Sequence, residues 1–152
     1  MLLIVSINQI IAGILGNIAT SVWYVPMGAN ILHKARGVKF NNPFSVYIGR
    51  GVILDNRYPS KISIGDGTVI APRAVLLTHS FVPRGNTVVG IKEITKEVSI
   101  GPQTFIGAGC IILPGTKLGR GCYVAAGAVV SGEFGPDSLI AGNPAKTKRK
   151  CT

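Results

Sequence analysis

From Ile48 onward, aliphatic residues recur in steps of six: Ile48 and Leu54, then Ile64, Ile70 and Leu76, and after a break Ile100, Ile106, Ile112, Leu118, Val124 and Val130. The residue after each is often small, as at Gly49, Gly65, Ala71, Gly101, Gly107, Gly119 and Ala125. The fifth place of each unit holds another small or modest residue: Val52, Thr68, Ala74, Thr104, Cys110, Thr116, Cys122 and Ala128. A helix has no six-residue period, and a hairpin strand alternates by two without a small residue at every sixth place. A chain that turns a corner every six residues and closes a triangular coil every eighteen satisfies both facts. Aliphatic side chains then fill the flat faces, small ones fit where the corner narrows, and glycine near the corner allows backbone angles denied to other residues. Stacked coils pair as parallel strands about 4.8 Å apart, and stability accumulates with coil number.

The chain before the ladder has a different character. The stretch LLIVSINQIIAGILGNIATSVW is apolar, and nothing ahead of Lys34 carries a formal charge beyond the terminal amine and a His33 proton. It lacks a basic leading region and a small-residue cleavage site, so a cleaved signal peptide is not indicated. Three readings stay open: a helix packed on the domain or on a neighbouring subunit, a helix lying in a membrane interface, and a membrane span. The span is opposed by Asn8, Gln9 and Asn17, which would sit inside it. The organisation expected is an apolar helical segment over 1–37, the coil over 38–145 with a loop excursion over 80–97, and a basic tail over 146–152.

At 152 residues the chain is most simply one domain, large enough to bury a core. Its 16 Lys and Arg against 6 Asp and Glu leave a net +10, which suits an anionic partner such as phosphate, nucleic acid or a membrane surface without choosing among them. A 47% hydrophobic content opposes disorder, and 20 glycines with 9 prolines oppose long helices. Three cysteines without a CxxC pair, and only His33 and His79 as histidines, indicate neither a disulfide framework nor a zinc site, and no metal is expected. Cys110 and Cys122 fall at inward fifth places and read as small core residues, since a buried thiol is a poor nucleophile. Cys151 reads as a spectator in the tail, and His33, ahead of the ladder, as structural.

The break in the ladder lies within VLLTHSFVPRGNTVVGIKEITKEVSIG, residues 75 to 101. Counted from Leu76, His79 takes the fourth place of its unit, near the corner and pointing outward, and Ser80 takes the small inward place. The excursion then runs through Pro83, Arg84, Gly85 and Asn86 and returns through Lys92 to Lys96. Long loops inside compact repeats cost ordering entropy without extending the core, so they usually carry function. An outward histidine at the root of such a loop reads as catalytic.

The runs IGRGVI, IGDGTVIAPRAV, IGPQTFIGAGCIILPGTKLGRGCYVAAGAVV and IAGNPAK resemble the left-handed parallel β-helix acyltransferases of the hexapeptide-repeat superfamily, and within it the sugar O-acetyltransferase branch that includes galactoside, maltose and polysaccharide acetyltransferases. The resemblance covers roughly residues 46 to 149. It implies an all-β, left-handed parallel β-helix, acetyl-CoA as acyl donor, a saccharide acceptor and a homotrimer. It also implies that His79 is the general base, taking the hydroxyl proton as the hydroxyl attacks the thioester and returning it to the departing thiolate, while a backbone N–H near the corner stabilises the oxyanion. Histidine suits that role because its ordinary pKa of about 6.5 leaves it neutral near pH 7. No acyl-enzyme is required.

By the same resemblance the pantetheine arm of the donor runs along Gly107 and Ala108, then Ala125 and Ala126, with Ser131 near the far end. Pro144, Lys146 and Arg149 meet the nucleotide portion. Asp55 and Asn56, at outward places of an early coil, and the loop's Arg84 and Asn86 are candidate acceptor contacts. The sequence departs from the branch at Phe105, where tryptophan is common, in lacking a second histidine after His79, and in its uncharged beginning. These departures move the expected acceptor toward sugars of cell-surface polysaccharides, with the protein in the cytoplasm or at the inner face of the cytoplasmic membrane through residues 1–22.

Rival functions fare unequally. A hexapeptide carbonic anhydrase needs three histidine ligands, and the chain has two histidines. An antibiotic acetyltransferase shares fold, base and donor and differs in its acceptor pocket. A serine acetyltransferase is expected to carry a long N-terminal helical domain. A non-catalytic β-helix scaffold is the alternative outside enzymology, and ten dispersed aromatics without a recognisable signature oppose nucleic-acid binding.

Overall fold

Every aliphatic residue of the six-residue series is inside, and so is every fifth-place residue from Val52 to Ala128. The computed structural model describes residues 7–21, 26–83 and 91–150. Two helices, α1 (Ile7–Ser21) and α2 (Pro26–Ala35), precede the coil. Its strands begin with β1 (Lys39–Phe40), β2 (Tyr47–Ile48), β3 (Ile53–Leu54), β4 (Ile62–Ile64), β5 (Val69–Ile70) and β6 (Val75–Leu76). A hairpin of β7 (His79–Pro83) and β8 (Ile91–Thr95) interrupts them. The coil resumes with β9 (Val98–Ile100), β10 (Phe105–Ile106), β11 (Ile111–Ile112), β12 (Lys117–Leu118), β13 (Tyr123–Val124), β14 (Val129–Val130), β15 (Glu133–Phe134) and β16 (Ser138–Gly142), and β17 (Ala145–Lys150) closes it.

Three sheets form the faces of a left-handed parallel β-helix: β1-β4-β9-β12-β15, β17-β16-β13-β10-β5-β2 and β14-β11-β6-β3. They are called here the first, second and third faces. All their pairings are parallel except the last, where β17 returns antiparallel to β16. Residues 146–150, expected as a tail, are therefore a paired edge strand. The spacing of eighteen holds where corners are plain, as between Phe105 and Tyr123 or Ile111 and Val129.

Where a glycine follows the aliphatic residue, it is there for lack of room. A Cβ on Gly65 would come within 2.5 Å of the Pro102 nitrogen, and one on Gly107 within 2.5 Å of the Ala126 nitrogen. The left-handed turn lies two places further on, at Gly51, Gly109 and Gly127 along one corner, with Arg73 (φ 63°) taking it in the coil between.

Outside, the faces differ. The first carries Lys39, Ser63, Ser99, Lys117 and Glu133. The second carries Tyr47, Val69, Phe105, Tyr123 and Leu139, and the third Ile53, Val75, Ile111 and Val129. Phe105 and Tyr123 stack at 4.8 Å. On α1, Ala12 and Gly16 are buried, while Ile7, Ile10, Ile11, Ile14 and Ile18 form an exposed apolar stripe. Among the described residues no helix is long and apolar enough to cross a membrane.

Candidate active site

The corner between the third and first faces is where the chain twice leaves the coil. After β3 it takes a longer turn through residues 55–61, and after β6 it runs into the β7–β8 hairpin. The two departures are stacked, with the Asp55 N–H donating to the Leu76 carbonyl at 2.9 Å. Because the lengthened turn breaks the hexad phase, Asp55 faces inward and is only 2% exposed. It was expected to point outward at an acceptor; buried beneath the hairpin root, it instead meets His79.

Asp55 Oδ2 lies 2.6 Å from His79 Nδ1 and accepts both the Thr78 backbone N–H and the Thr78 hydroxyl, each at 2.8 Å. Its other oxygen accepts the Arg57 N–H at 2.8 Å and the Tyr58 N–H at 3.4 Å. Burial pushes a carboxyl up, but the Thr78 N–H, His79, the Arg57 N–H and the Thr78 hydroxyl outweigh it and hold Asp55 below its ordinary range. An ionised carboxylate only accepts, so His79 Nδ1 is the donor of this pair, and in the neutral imidazole the lone pair is then on Nε2. With its side chain 22% exposed, His79 is a fixed imidazole that can take a proton from an approaching group.

Aromatic rings flank it. Tyr58 and Phe81 each meet the imidazole edge to face at 5.8 Å, and Phe81 is half exposed. Hairpin register pairs His79 with Thr95 and Phe81 with Glu93. Glu93 reaches Arg57 at 3.2 Å, tying the hairpin to the Asp55 turn, and the Arg57 guanidinium lies 5.5 Å from the Tyr58 ring centre.

Other expected residues fall in several places. Thr78 takes the buried position expected of Ser80, which is only half-buried on β7, because the coil is abandoned one residue after Leu76. Asn56 is partly buried, and its Oδ1 accepts from Arg36 at 3.0 Å. Arg84 and Asn86 lie outside the described residues. Gly107, Ala108, Ala125 and Ala126 stack along the corner between the second and third faces, with the Gly127 N–H on the Ala108 carbonyl at 2.9 Å. Ser131 lies on the His79 corner instead, on the loop after β14. Exposed Pro144 stands in the turn before β17, after a cis peptide bond, and Lys146 and Arg149 are exposed on that strand opposite Ala141 and Leu139.

The Gly107 corner continues toward the early coils as an open groove of about 710 Å³ lined by Arg50, Gly51, Pro72, Arg73, Ala108 and Gly109. Its two guanidinium groups escape a reading of the hexad alone, since Arg50 stands two places after Ile48 and Arg73 three places after Ile70. Cys110 and Cys122 are buried, their thiols turned to the carbonyls of Ala125 and Gly135, and burial pushes Cys110 up. His33 is buried too, accepting from Arg36 Nε at 2.9 Å. Among the described residues no group of three His, Cys, Asp or Glu could hold a metal ion.

Comparison with known proteins fits this architecture. The family "Bacterial transferase hexapeptide (six repeats)" matches residues 97–132. The "Putative acetyltransferase YvoF" of Bacillus subtilis is 36% identical over 93 residues, covering 61% of this chain and 50% of that protein. The chain spans about half the length or less of the curated relatives it matches. Among solved structures, the hexapeptide-repeat acetyltransferase VCA0836 of Vibrio cholerae superposes with a TM-score of 0.71 at 20% identity, over 97% of this chain and 94% of that one; it has also been solved with acetyl coenzyme A. Galactoside acetyltransferase in complex with coenzyme A gives 0.66 at 15% identity, over 99% and 86%. These structures share the fold.

Proposed function

Since the chain is a hexapeptide-repeat protein coiled as a left-handed β-helix, we propose that it is an O-acetyltransferase that moves acetyl from acetyl-CoA to a saccharide hydroxyl, with His79 as general base. The observation that carries the reading is the Asp55–His79 pair at 2.6 Å, which holds the imidazole through Nδ1 at the root of the hairpin and leaves Nε2 as the atom for proton transfer. Nε2 takes the acceptor's hydroxyl proton as that oxygen bonds to the thioester carbonyl carbon. The C–S bond then breaks, the thiolate recovers the proton from His79, and the products are the ester and free coenzyme A. Buried Cys110 and Cys122 take no part.

The donor lies along the corner of Gly107, Ala108, Ala125 and Ala126, where backbone and small side chains leave room for an extended arm. Pro144, Lys146 and Arg149 meet its nucleotide end, and Ser131, on the His79 corner of a neighbouring subunit, contacts it from the other side of the groove. The working unit is a trimer, whose contacts cover the apolar outer columns of the second and third faces. The acceptor is a sugar of a cell-surface polysaccharide. The isoleucine stripe of α1 rests on the inner face of the cytoplasmic membrane, since residues 1–54 carry exposed Lys34, Lys39 and Arg50 and no acidic side chain.

The test is free-thiol release from acetyl-CoA with a panel of sugars, nucleotide-sugars, serine and acylatable antibiotics. Release that depends on a saccharide is expected. Release only with an antibiotic or serine would replace the acceptor class, and neither release nor acetyl-CoA binding would leave a scaffold. Light scattering reads the trimer directly. Recovery in the membrane fraction, lost on deleting residues 1–22, is the outcome expected for α1, and a wholly soluble full-length protein would refute it.

A further inference from the structure

Arg36, the residue after α2, is a buried guanidinium that forms no ion pair among the described residues, although the Asp55 charge acts on it. Its Nη2 donates to the Leu54 carbonyl at 2.8 Å, its Nη1 donates to the Asp55 carbonyl and to Asn56 Oδ1, both at 3.0 Å, and its Nε donates to His33 Nδ1 at 2.9 Å. Three consecutive residues are thus held by one planar fork, a geometry that lysine cannot reproduce. The arrangement needs a neutral His33, and burial, helped by the adjacent Arg36 charge, pushes that imidazole down to about 3.

Part of the arrangement is a cap. β3 is the edge strand of the third face, so the outward carbonyl of Leu54 has no coil below it. A cap alone would not need a charge: replacing a buried ion by apolar groups is often neutral or stabilising. The remaining two bonds of the fork go to Asp55 and Asn56, the residues that begin the turn beneath His79. From α1, Gly16 closes on Asn56 so tightly that a Cβ there would overlap its side chain.

We propose that Arg36 is a positioning residue for the reaction, which holds the main chain at Asp55 so that its carboxylate stays aligned on His79 Nδ1. The two N-terminal helices are thereby part of the active site, although neither contributes a reacting group. This rests on the reading of His79 as the base.

The experiment compares wild type, Arg36→Gln, Asn56→Ala and His79→Ala in acetyl-CoA turnover, acetyl-CoA binding, thermal melting and the downfield proton NMR signal of the hydrogen-bonded His79 Nδ1–H, which is assigned by its loss in His79→Ala. Arg36→Gln is expected to lower kcat tenfold or more with acetyl-CoA affinity within twofold of wild type, and to shift or broaden the downfield signal. Asn56→Ala, which removes a single bond of the fork, should lower kcat several-fold with little change in melting temperature, and it decides the matter if Arg36→Gln does not fold. Full kcat and an unmoved signal in a folded Arg36→Gln or in Asn56→Ala would overturn the proposal while leaving His79 as base. Full turnover in His79→Ala would instead overturn the reading on which it rests.

Discussion

Thr78 grips one oxygen of Asp55 twice, through its backbone N–H and its hydroxyl, and that same oxygen faces His79 Nδ1. The carboxylate is therefore held by groups belonging to the coil above it, and the imidazole is oriented by a side chain that comes 24 residues earlier.

That relationship makes Asp55→Asn an informative change. An amide offers one oxygen and one NH2, and each carboxylate oxygen of Asp55 already faces donors. Whichever way the amide turns, its NH2 meets an N–H. The expected result is a loss in kcat of about a hundredfold or more, with acetyl-CoA affinity unchanged. Steady-state kinetics beside calorimetric binding checks it.

His33 gives the fold a pH dependence. Its folded pKa is about 3 against an ordinary 6.5, so between those values the unfolded chain binds a proton that the native state does not. Stability is complete above about pH 6.5 and falls by about 1.4 kcal/mol per unit as pH drops below it. Asp55, whose folded pKa is depressed, adds a loss only at more acidic pH, below its unfolded value of about 3.9. Urea unfolding at pH 7 and pH 5 should show the wild type losing about 2 kcal/mol, and His33→Gln losing clearly less.

Two glycine substitutions separate crowding from backbone angle. Gly65→Ala drives a Cβ into the Pro102 backbone and should cost about 2 kcal/mol or more. Gly127→Ala meets nothing within 4 Å and is penalised only by its φ of 70°, at about 1 kcal/mol. Denaturant midpoints compared with wild type give the order.

The thiols should be silent. Native Cys110 and Cys122 should resist a thiol reagent until denaturant is added, and Cys110→Ala with Cys122→Ala should leave kcat within about twofold while costing about 1 kcal/mol per lost sulfur contact. Titration of native and unfolded protein, with kinetics of the double variant, tests both halves.

The ladder was readable because one residue type per unit meets one environment: Ile106 and Ile112 are buried for the same reason and six places apart. The purpose of the small second position was readable only in part. At Gly65 and Gly107 it is the next coil's backbone that excludes a side chain, while the left-handed turn lies two places on, where Arg73, Gln103 and Asp137 show that glycine is not obligatory. Asp55 and Ser80 were misplaced because each lies past the point where the chain leaves the hexad, so counting on from Leu54 or Leu76 no longer gives a direction. Arg36 was invisible because two of its four partners are main-chain carbonyls eighteen and nineteen residues away, and carbonyls have no sequence signature.

The most direct test of the central claim is the rate of acetyl transfer in His79→Ala beside wild type, at saturating acetyl-CoA and with donor binding measured independently. A fall of about 10²–10⁴-fold with donor affinity retained is the expected result. Turnover within a few-fold of wild type in a folded, donor-binding His79→Ala protein would contradict the account.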